Sequence, residues 1–269
     1  MESNNEYALI TGASLGIGRE IAKEFARRKI NTLLIALDTS DLHDIQKDLQ
    51  DNYDIRAECF PTNLTDSNSA ATIYNWCQEN LFVVKYLINN AGFGASGFFE
   101  SVPLNRYYQM IDLNTKAYIA MTHQFLPDMK TLGESYIMNT SSMEANLPVP
   151  YKAVYTGTKN FVYAFSMALS KEVQPSGVRV SILCPGPVPT NEEGLKRLET
   201  QGMKGQMLAL YPEQVAKYAV KNLLEGQLII HPGRMNRWIN RFHRMLPIPL
   251  KMRILEKMFR SYTEVSPSK

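Results

Sequence analysis

An apolar run of strand length, Tyr7–Thr11, leads without a spacer into Thr11-Gly-Ala-Ser-Leu-Gly-Ile-Gly18. The stretch Ile17–Arg28 carries apolar residues at 17, 21, 22, 25 and 26, the spacing of one helical face. Gly12, Gly16 and Gly18 therefore fall where a strand turns into a helix. Glycine there permits positive φ and close approach of backbone to another molecule. The helix that follows offers free N–H groups and a positive dipole end, which suit a phosphate. A tight turn that binds nothing would use the same glycines. The strand before them and the amphipathic helix after them favour the phosphate cradle.

The same alternation continues along the chain. Thr32–Leu37 is a fully apolar strand, as expected of a parallel strand covered on both faces. A helix is expected near 40–51, a strand near 55–60, a helix near 66–80 and a strand at 84–88. Long helical patterns cover about 105–132 and 151–174, with a strand at 135–141 between them. A strand at 178–184, a helix at 212–225 and a short strand at 228–230 complete the series. Repeated strand–helix units imply parallel pairing through right-handed crossovers. The expected fold is α/β: a Rossmann-type doubly wound parallel sheet of about seven strands, with helices on both faces and a C-terminal helical extension. The order 3-2-1-4-5-6 puts a ligand at the carboxyl ends of the central strands. No Pro/Gly/Ser-rich linker interrupts residues 1–230, so one domain is expected over 1–232, followed by an extension over 233–269.

Charge separates these two parts. Between Gly233 and Tyr262 stand eight Lys and Arg residues and one acid, Glu256. The rest of the chain is mildly acidic, which leaves nucleic-acid binding by it without electrostatic support. Cys59, Cys77 and Cys184 are scattered and form no CxxC, and the four histidines show no metal spacing. Neither a disulfide framework nor a metal site is expected, and a reducing cytoplasm is the natural compartment. The start, MESNNEYALIT, lacks the basic and apolar regions of a signal peptide.

Further motifs follow the glycine loop in order. Asn89-Asn90-Ala91-Gly92 comes directly after the strand at 84–88. Ser142 follows the strand at 135–141, Tyr155 comes 13 residues later, and Lys159 four after that. Asn114 stands on the first long helix, and Pro185-Gly186, Val188 and Thr190 follow the sixth strand. With the G-x-x-x-G-x-G loop, these resemble the short-chain dehydrogenase/reductase family over residues 6 to about 230. A Tyr-x-x-x-Lys alone says little in a chain with 14 tyrosines; its register with Ser142 makes it specific.

The resemblance implies hydride transfer between a nicotinamide and a carbonyl or carbinol carbon, with Asn114, Ser142, Tyr155 and Lys159 as the catalytic set. Tyrosine ordinarily titrates near 10. Lys159, one helical turn on and on the same face, is expected to favour the phenolate together with the oxidised cofactor's positive ring. Ser142 would donate a hydrogen bond to the substrate oxygen, with Ser141 as the adjacent alternative. Asn114 would hold a water that relays protons to Lys159, or serve only as a helix-kink or capping residue. The cofactor-facing set implied by the resemblance is Gly12, Ser14, Gly16, Ile17, Gly18, Asp38, Asn63, Leu64, Asn90, Ala91, Gly92, Tyr155, Lys159, Pro185, Gly186, Val188 and Thr190. A non-catalytic dinucleotide-binding or redox-sensing protein on the same fold is the competing reading.

For NAD(P)H, the strand-end residues Ala36, Leu37 and Asp38, and Leu15 before Gly16, include no base to meet a 2′-phosphate. NAD(H) is therefore favoured, with Asp38 either on the ribose or acting as a turn or N-cap residue. Met203, Met207, Leu208 and Leu210 suggest an adaptable apolar lid. Phe93, Phe98 and Phe99 would line the pocket or belong to the core. The stretch NNAGFGASGFFE resembles bacterial reductases related to acyl and hydroxysteroid reductases, which implies an apolar small-molecule substrate. In the extension, Met235, Trp238, Ile239, Phe242, Met245 and Leu246 form one apolar face. Pro247 and Pro249 break it, and a second helix over 250–261 repeats it with Ile254, Leu255, Met258 and Phe259. Such a basic hairpin either packs on the body or a partner subunit, or lies on an anionic membrane surface. The family resemblance also implies a homo-oligomer through the two long helices.

Overall fold

The computed structural model describes residues 5–189, 209–233, 236–238 and 247–260. Seven strands run in the order β3-β2-β1-β4-β5-β6-β7, and every pairing is parallel. They are β1 (Glu6–Thr11), β2 (Asn31–Ala36), β3 (Ala57–Pro61), β4 (Val83–Asn89), β5 (Ser135–Thr140), β6 (Val178–Leu183) and β7 (Ile229–Ile230). The order extends outward from β1 in both directions, so the loops leaving β1 and β4 diverge and open a crevice at their carboxyl ends.

Strand alternation divides the core in two. Ala8, Ile10, Leu34, Tyr86, Ile88 and Met138 face helices α1 (Gly16–Ala26), α2 (Ser40–Tyr53) and α7 (Pro212–Leu224), meeting Ile21, Phe25, Leu42, Ile45, Val215 and Leu223. Tyr7, Leu9, Leu33, Ile35, Leu87 and Ile137 face the opposite layer. There α3 (Ser69–Glu79), α5 (Ala117–Met129) and α6 (Ala153–Val173) supply Ile73, Cys77, Met121, Phe125, Leu169 and Val173. Each fully buried Leu, Ile or Phe contributes about 1.5–3 kcal/mol relative to exposure, so both layers hold the sheet rigidly beneath the crevice.

Two expectations change in detail. The long pattern at 105–132 is interrupted: α4 (Leu104–Ile111) passes through a π-helical turn at Asp112–Lys116 into α5. The last helix, α8 (Ile248–Phe259), begins two residues before the expected start. Pro249 lies in its first turn, where a missing N–H disturbs no intrahelical bond. Its apolar residues do not act as one face. Leu255 is buried and Phe259 partly buried against Leu147 and Val149, whereas Ile254 and Met258 are exposed. Of the first tail helix only residues 236–238 are described, and they are helical, with Trp238 exposed. Met235, Ile239, Phe242, Met245 and Leu246 lie outside the described residues, as do Thr190 and the lid residues Met203, Met207 and Leu208. Among the described residues no helix is long and apolar enough to cross a membrane, and no group of three His, Cys, Asp or Glu residues is placed to hold a metal.

Candidate active site

The glycine loop leaves β1 with Gly12 at φ +67° and Gly16 at φ +58°, a region L side chains avoid. Gly18 is required by space. A Cβ there would stand 2.1 Å from the Gly12 carbonyl oxygen and 2.6 Å from Asn90 Nδ2. The N-cap of α1 is Leu15, whose side chain cannot accept a hydrogen bond from the first-turn amides. The helix thus presents uncapped N–H groups beside a bare backbone cradle, which fits a dinucleotide's pyrophosphate. Ser14 and Ile17 lie within this turn.

Thr11 ties the loop to the next motif. Its hydroxyl accepts from the amides of Asn90 and Ala91 at 2.9 and 3.1 Å and donates to the Ile88 carbonyl at 3.2 Å. Asn90 Nδ2 donates back to the Thr11 carbonyl at 3.1 Å, and Thr140 Oγ1 donates to Asn90 Oδ1 at 3.3 Å. Asn90 and Ala91 thus lock the ends of β1, β4 and β5 together. Below them Asn89 Nδ2 donates to Asn139 Oδ1 at 2.8 Å and to Thr122 Oγ1 at 3.1 Å, joining the sheet to α5.

The four residues expected to do chemistry converge at this edge. Asn114 is fully buried in the π-helical turn. Its Oδ1 accepts from the Phe93 amide at 3.1 Å, and its Nδ2 donates to the Phe93 carbonyl at 2.9 Å and to Thr158 Oγ1 at 3.1 Å. The side chain crosses to another segment rather than capping its own helix, and the π-helical turn that holds it is the kink the second reading allows. Lys159 donates from Nζ to the Thr140 carbonyl at 2.9 Å and lies 5.7 Å from the centre of the Tyr118 ring. Gly92 leaves room for both: a Cβ there would meet Asn114 Oδ1 at 2.8 Å and Lys159 Nζ at 3.3 Å. The two serines point differently. Ser141 Oγ donates to the Lys159 carbonyl at 2.7 Å. Ser142 Oγ accepts from the Glu144 amide at 3.1 Å. Tyr155 packs its ring on Gly94, where a Cβ would come within 3.1 Å of Cδ2.

Burial draws the Lys159 ammonium down to about 8, with nearby Cys184 opposing the shift. Burial and then the Glu144 carboxylate raise the Tyr155 pKa above the ordinary phenol value, against a smaller lowering by Lys152 and Ser142. The lowering expected of Lys159 with the oxidised cofactor's positive ring concerns the loaded site.

At the adenosine end, Asp38 lies beyond β2 and is not the cap of α2, whose N-cap is Thr39. The Asp38 side chain is 75% exposed, with Oδ1 3.1 Å from His43 Nε2. Asn63 spends its Oδ1 on its own turn, accepting from the Thr65 amide at 3.1 Å and hydroxyl at 2.9 Å. Leu64 is buried beneath it. Beyond β6, the Pro185 carbonyl accepts from the Met143 amide at 2.9 Å. A Cβ on Gly186 would stand 2.4 Å from Asn236 Nδ2, and Val188 packs at the edge of the α1-side core. Leu210 is pinned there too, its amide donating to the Pro187 carbonyl at 3.2 Å. Phe98 and Phe99 are 51% and 63% exposed, so they are not core, while Arg106 covers the Phe93 ring at 4.0 Å.

Sequence reasoning missed Thr11, Glu144, Lys152 and His43. A hydroxyl ending an apolar strand could have flagged Thr11; the other three gain meaning only from long-range packing.

Comparison with known proteins follows this geometry. The family model described as short chain dehydrogenase matches residues 6–200. The chain is 28% identical over 254 residues to very-long-chain 3-oxoacyl-CoA reductase-A of Danio rerio, covering 86% of this chain and 78% of that one. It superimposes with TM-score 0.76 on a short-chain dehydrogenase from Sphingobium yanoikuyae in complex with NADPH, at 27% identity, covering 89% of this chain and 93% of that one. A 7beta-hydroxysteroid dehydrogenase structure shares the fold with TM-score 0.83 over 97% of both chains, at 19% identity. The chain belongs to the short-chain dehydrogenase/reductase family. It is an oxidoreductase that moves a hydride between a nicotinamide dinucleotide and a carbonyl or alcohol carbon.

Proposed function

We propose that Tyr155, Ser142, Lys159 and Asn114 carry this reaction on an apolar ketone or secondary alcohol. The observation that carries the reading is their convergence at one edge of the sheet: Gly92 leaves room for both Asn114 and Lys159, the Tyr155 ring packs on Gly94 two residues on, and Lys159 is held by the Thr140 carbonyl, two residues before Ser142. A non-catalytic binding module would have no use for a lysine buried beside a phenol and a serine.

When bound, the nicotinamide supplies or accepts the hydride. In reduction, the Tyr155 hydroxyl gives its proton to the substrate oxygen as charge grows there, and Ser142 donates a hydrogen bond to the same oxygen. Lys159, close to its own pKa at neutral to mildly basic pH, is suited to replenish that proton. Asn114 holds the turn at Phe93 and the Thr158 hydroxyl in place, which supports its role in a relay toward Lys159. Gly12, Ser14, Gly16, Ile17 and Gly18 cradle the pyrophosphate. Asn90, Ala91, Gly92, Pro185, Gly186 and Val188 would flank the rest of the cofactor, and Leu64 would lie on its adenine side. Asn63 reaches the adenine only through its amide nitrogen.

The exposed Asp38 carboxylate suits the ribose hydroxyls of NAD(H) better than a 2′-phosphate; the NADPH in the Sphingobium relative points the other way. Residues 233–269 form an extension whose Leu255 and Phe259 rest on the body. Its exposed Ile248, Leu250 and Met258 beside Lys251 and Lys257 suit an anionic lipid surface. Exposed Ile119 on α5 and Phe161 on α6 support pairing of subunits through these helices. The test is a survey of NADH and NADPH oxidation with aliphatic, acyl and steroid ketones. Turnover with apolar ketones is expected. Turnover confined to small hydrophilic carbonyls would overturn the substrate class, and none with any carbonyl would favour a binding module.

A further inference from the structure

Lys152 stands at the N-cap of α6, three residues before Tyr155. Its Nζ lies 2.9 and 3.2 Å from the two carboxylate oxygens of Glu144, which it reaches as a hydrogen-bonded ion pair. The side chains are only 14% and 16% exposed, unlike an ordinary surface pair, whose attraction water screens. The same ammonium lies 5.9 Å from the centre of the Tyr155 ring and 5.0 Å from that of Phe259 on α8, within the distance at which a ring face attracts a cation.

The pair is fixed from several sides. Ser142 accepts from the Glu144 amide and so sets where that carboxylate starts. Tyr151, at φ +64°, bends the chain sharply just before Lys152. Such a conformation persists in a bulky residue only when its surroundings hold it. The Tyr151 carbonyl accepts from the Gly97 amide at 2.9 Å, its ring meets Phe98 edge-on at 5.6 Å, and its hydroxyl donates to Glu256 Oε1 at 3.4 Å. Leu255, one residue earlier on α8, rests on Leu147 and Val149. Helix α8 is therefore clamped over the segment that carries both charges.

We propose that the Glu144–Lys152 pair, clamped beneath α8, is a positioning pair for the reaction: it sets the charge balance around the Tyr155 hydroxyl and with it the pH range in which Tyr155 serves as the acid. The proposal rests on Tyr155 being that acid, which the Tyr155→Phe variant decides separately. The other charged and titratable groups facing Tyr155 are Lys159 from its own helix, Tyr118 from α5 and, through Tyr151, Glu256 from α8. Cys184 faces Lys159 from the segment after β6, and the π-helical turn contributes the neutral Asn114. None of these changes when the pair is altered.

The sign follows from Coulomb's law. A positive charge near the phenol favours the phenolate and a negative one the phenol. Lys152→Met should move the alkaline limb of the reduction profile to higher pH, and Glu144→Gln should move it to lower pH, each by on the order of half to one pH unit. Lys152→Arg keeps the charge and should leave the limb in place. A Phe259→Ala background opens the pair to water and should shrink both shifts. The limb is read from kcat against pH. Independently of turnover, the ultraviolet titration of the phenolate is read as the difference between each variant and the same variant carrying Tyr155→Phe. Opposite shifts in the two single variants support the pair's role. A limb that stays in place in both, or moves the same way in both, overturns it. Shifts that keep their full size in the Phe259→Ala background overturn the part given to α8.

Discussion

On the β1 side of the site the working groups are backbone atoms, whereas on the β5 side they are side chains gathered from distant segments. The glycine loop is complete within eight consecutive residues, and its shape depends on missing Cβ atoms at Gly12 and Gly18. The proposed acid–base side draws on Asn114, Ser142, Glu144, Lys152, Tyr155, Lys159 and, from α8, Phe259. The first half is governed by shape and should fail when volume is added. The second is governed by charge and should respond to neutral, similarly sized substitutions.

The sharpest separation of the halves is Tyr155→Phe. It leaves volume nearly unchanged, so dinucleotide affinity in a binding titration should stay within about twofold. Turnover should fall by at least about a hundredfold, the usual cost of losing a general acid. Retention of more than about a hundredth of kcat would move the acid's role to another group.

The complementary substitution is Gly18→Val. With a Cβ 2.1 Å from a carbonyl oxygen, something in the loop must shift, and overpacking of this kind costs about 1–3 kcal/mol. Dinucleotide affinity should drop about tenfold or more in the same titration. An affinity near the original would mean that the cradle is not shape-limited, and the contrast between the halves would collapse.

Lys159→Met tests the charge-governed half through stability. The folded-state pKa of about 8 lies below the value near 10.4 of an unfolded chain. Between these values the unfolded chain binds more protons, so this group makes the protein more stable as pH rises from about 8 to about 10.4; below about 8 its buried charge opposes folding in full. The methionine variant should be more stable at pH 7 by on the order of 1–2 kcal/mol in denaturant titrations and should lose that pH dependence. Equal destabilisation at every pH would show that folding leaves the Lys159 pKa unshifted, the hydrogen bond to Thr140 balancing the cost of burying the charge.

The smallest effect concerns the edge of the backbone-built half where a side chain does matter. Binding titrations of the unaltered protein should favour NADH over NADPH, and Asp38→Arg should narrow or invert that ratio by about tenfold. A tenfold preference of the unaltered protein for NADPH would break the reading of the strand end.

The sequence was legible to the degree that information is local. The unbroken apolar runs of β1 and β2 and the 3.6-residue spacing of α1 record their burial directly, because strands covered on both faces are apolar throughout and a helix covered on one face carries its period. The glycine loop and the Tyr155–Lys159 spacing are legible for the same reason. Asn114's surroundings were not: a π-helical turn leaves no periodic trace over five residues. Nothing in the sequence sets Glu144 and Lys152 apart, because Phe259 of α8, which packs on Lys152, lies far along the chain. Asp38 read equally well as a cap, since the position of one residue relative to a helix start depends on how Thr39 turns.

The π-helical turn at Asp112–Lys116 also bears on how this chain tolerates change over generations. A turn of this kind holds one residue more than a regular helix needs. Each residue of an α-helix advances the next by about 100°. Deleting one residue between 112 and 116 would let α4 and α5 fuse into a single regular helix, turning one against the other by that angle. Asn114 could then no longer reach both Phe93 and Thr158, while the strands beneath would keep their partners. A single lost codon in this stretch would thus uncouple inheritance of the fold from inheritance of the chemistry.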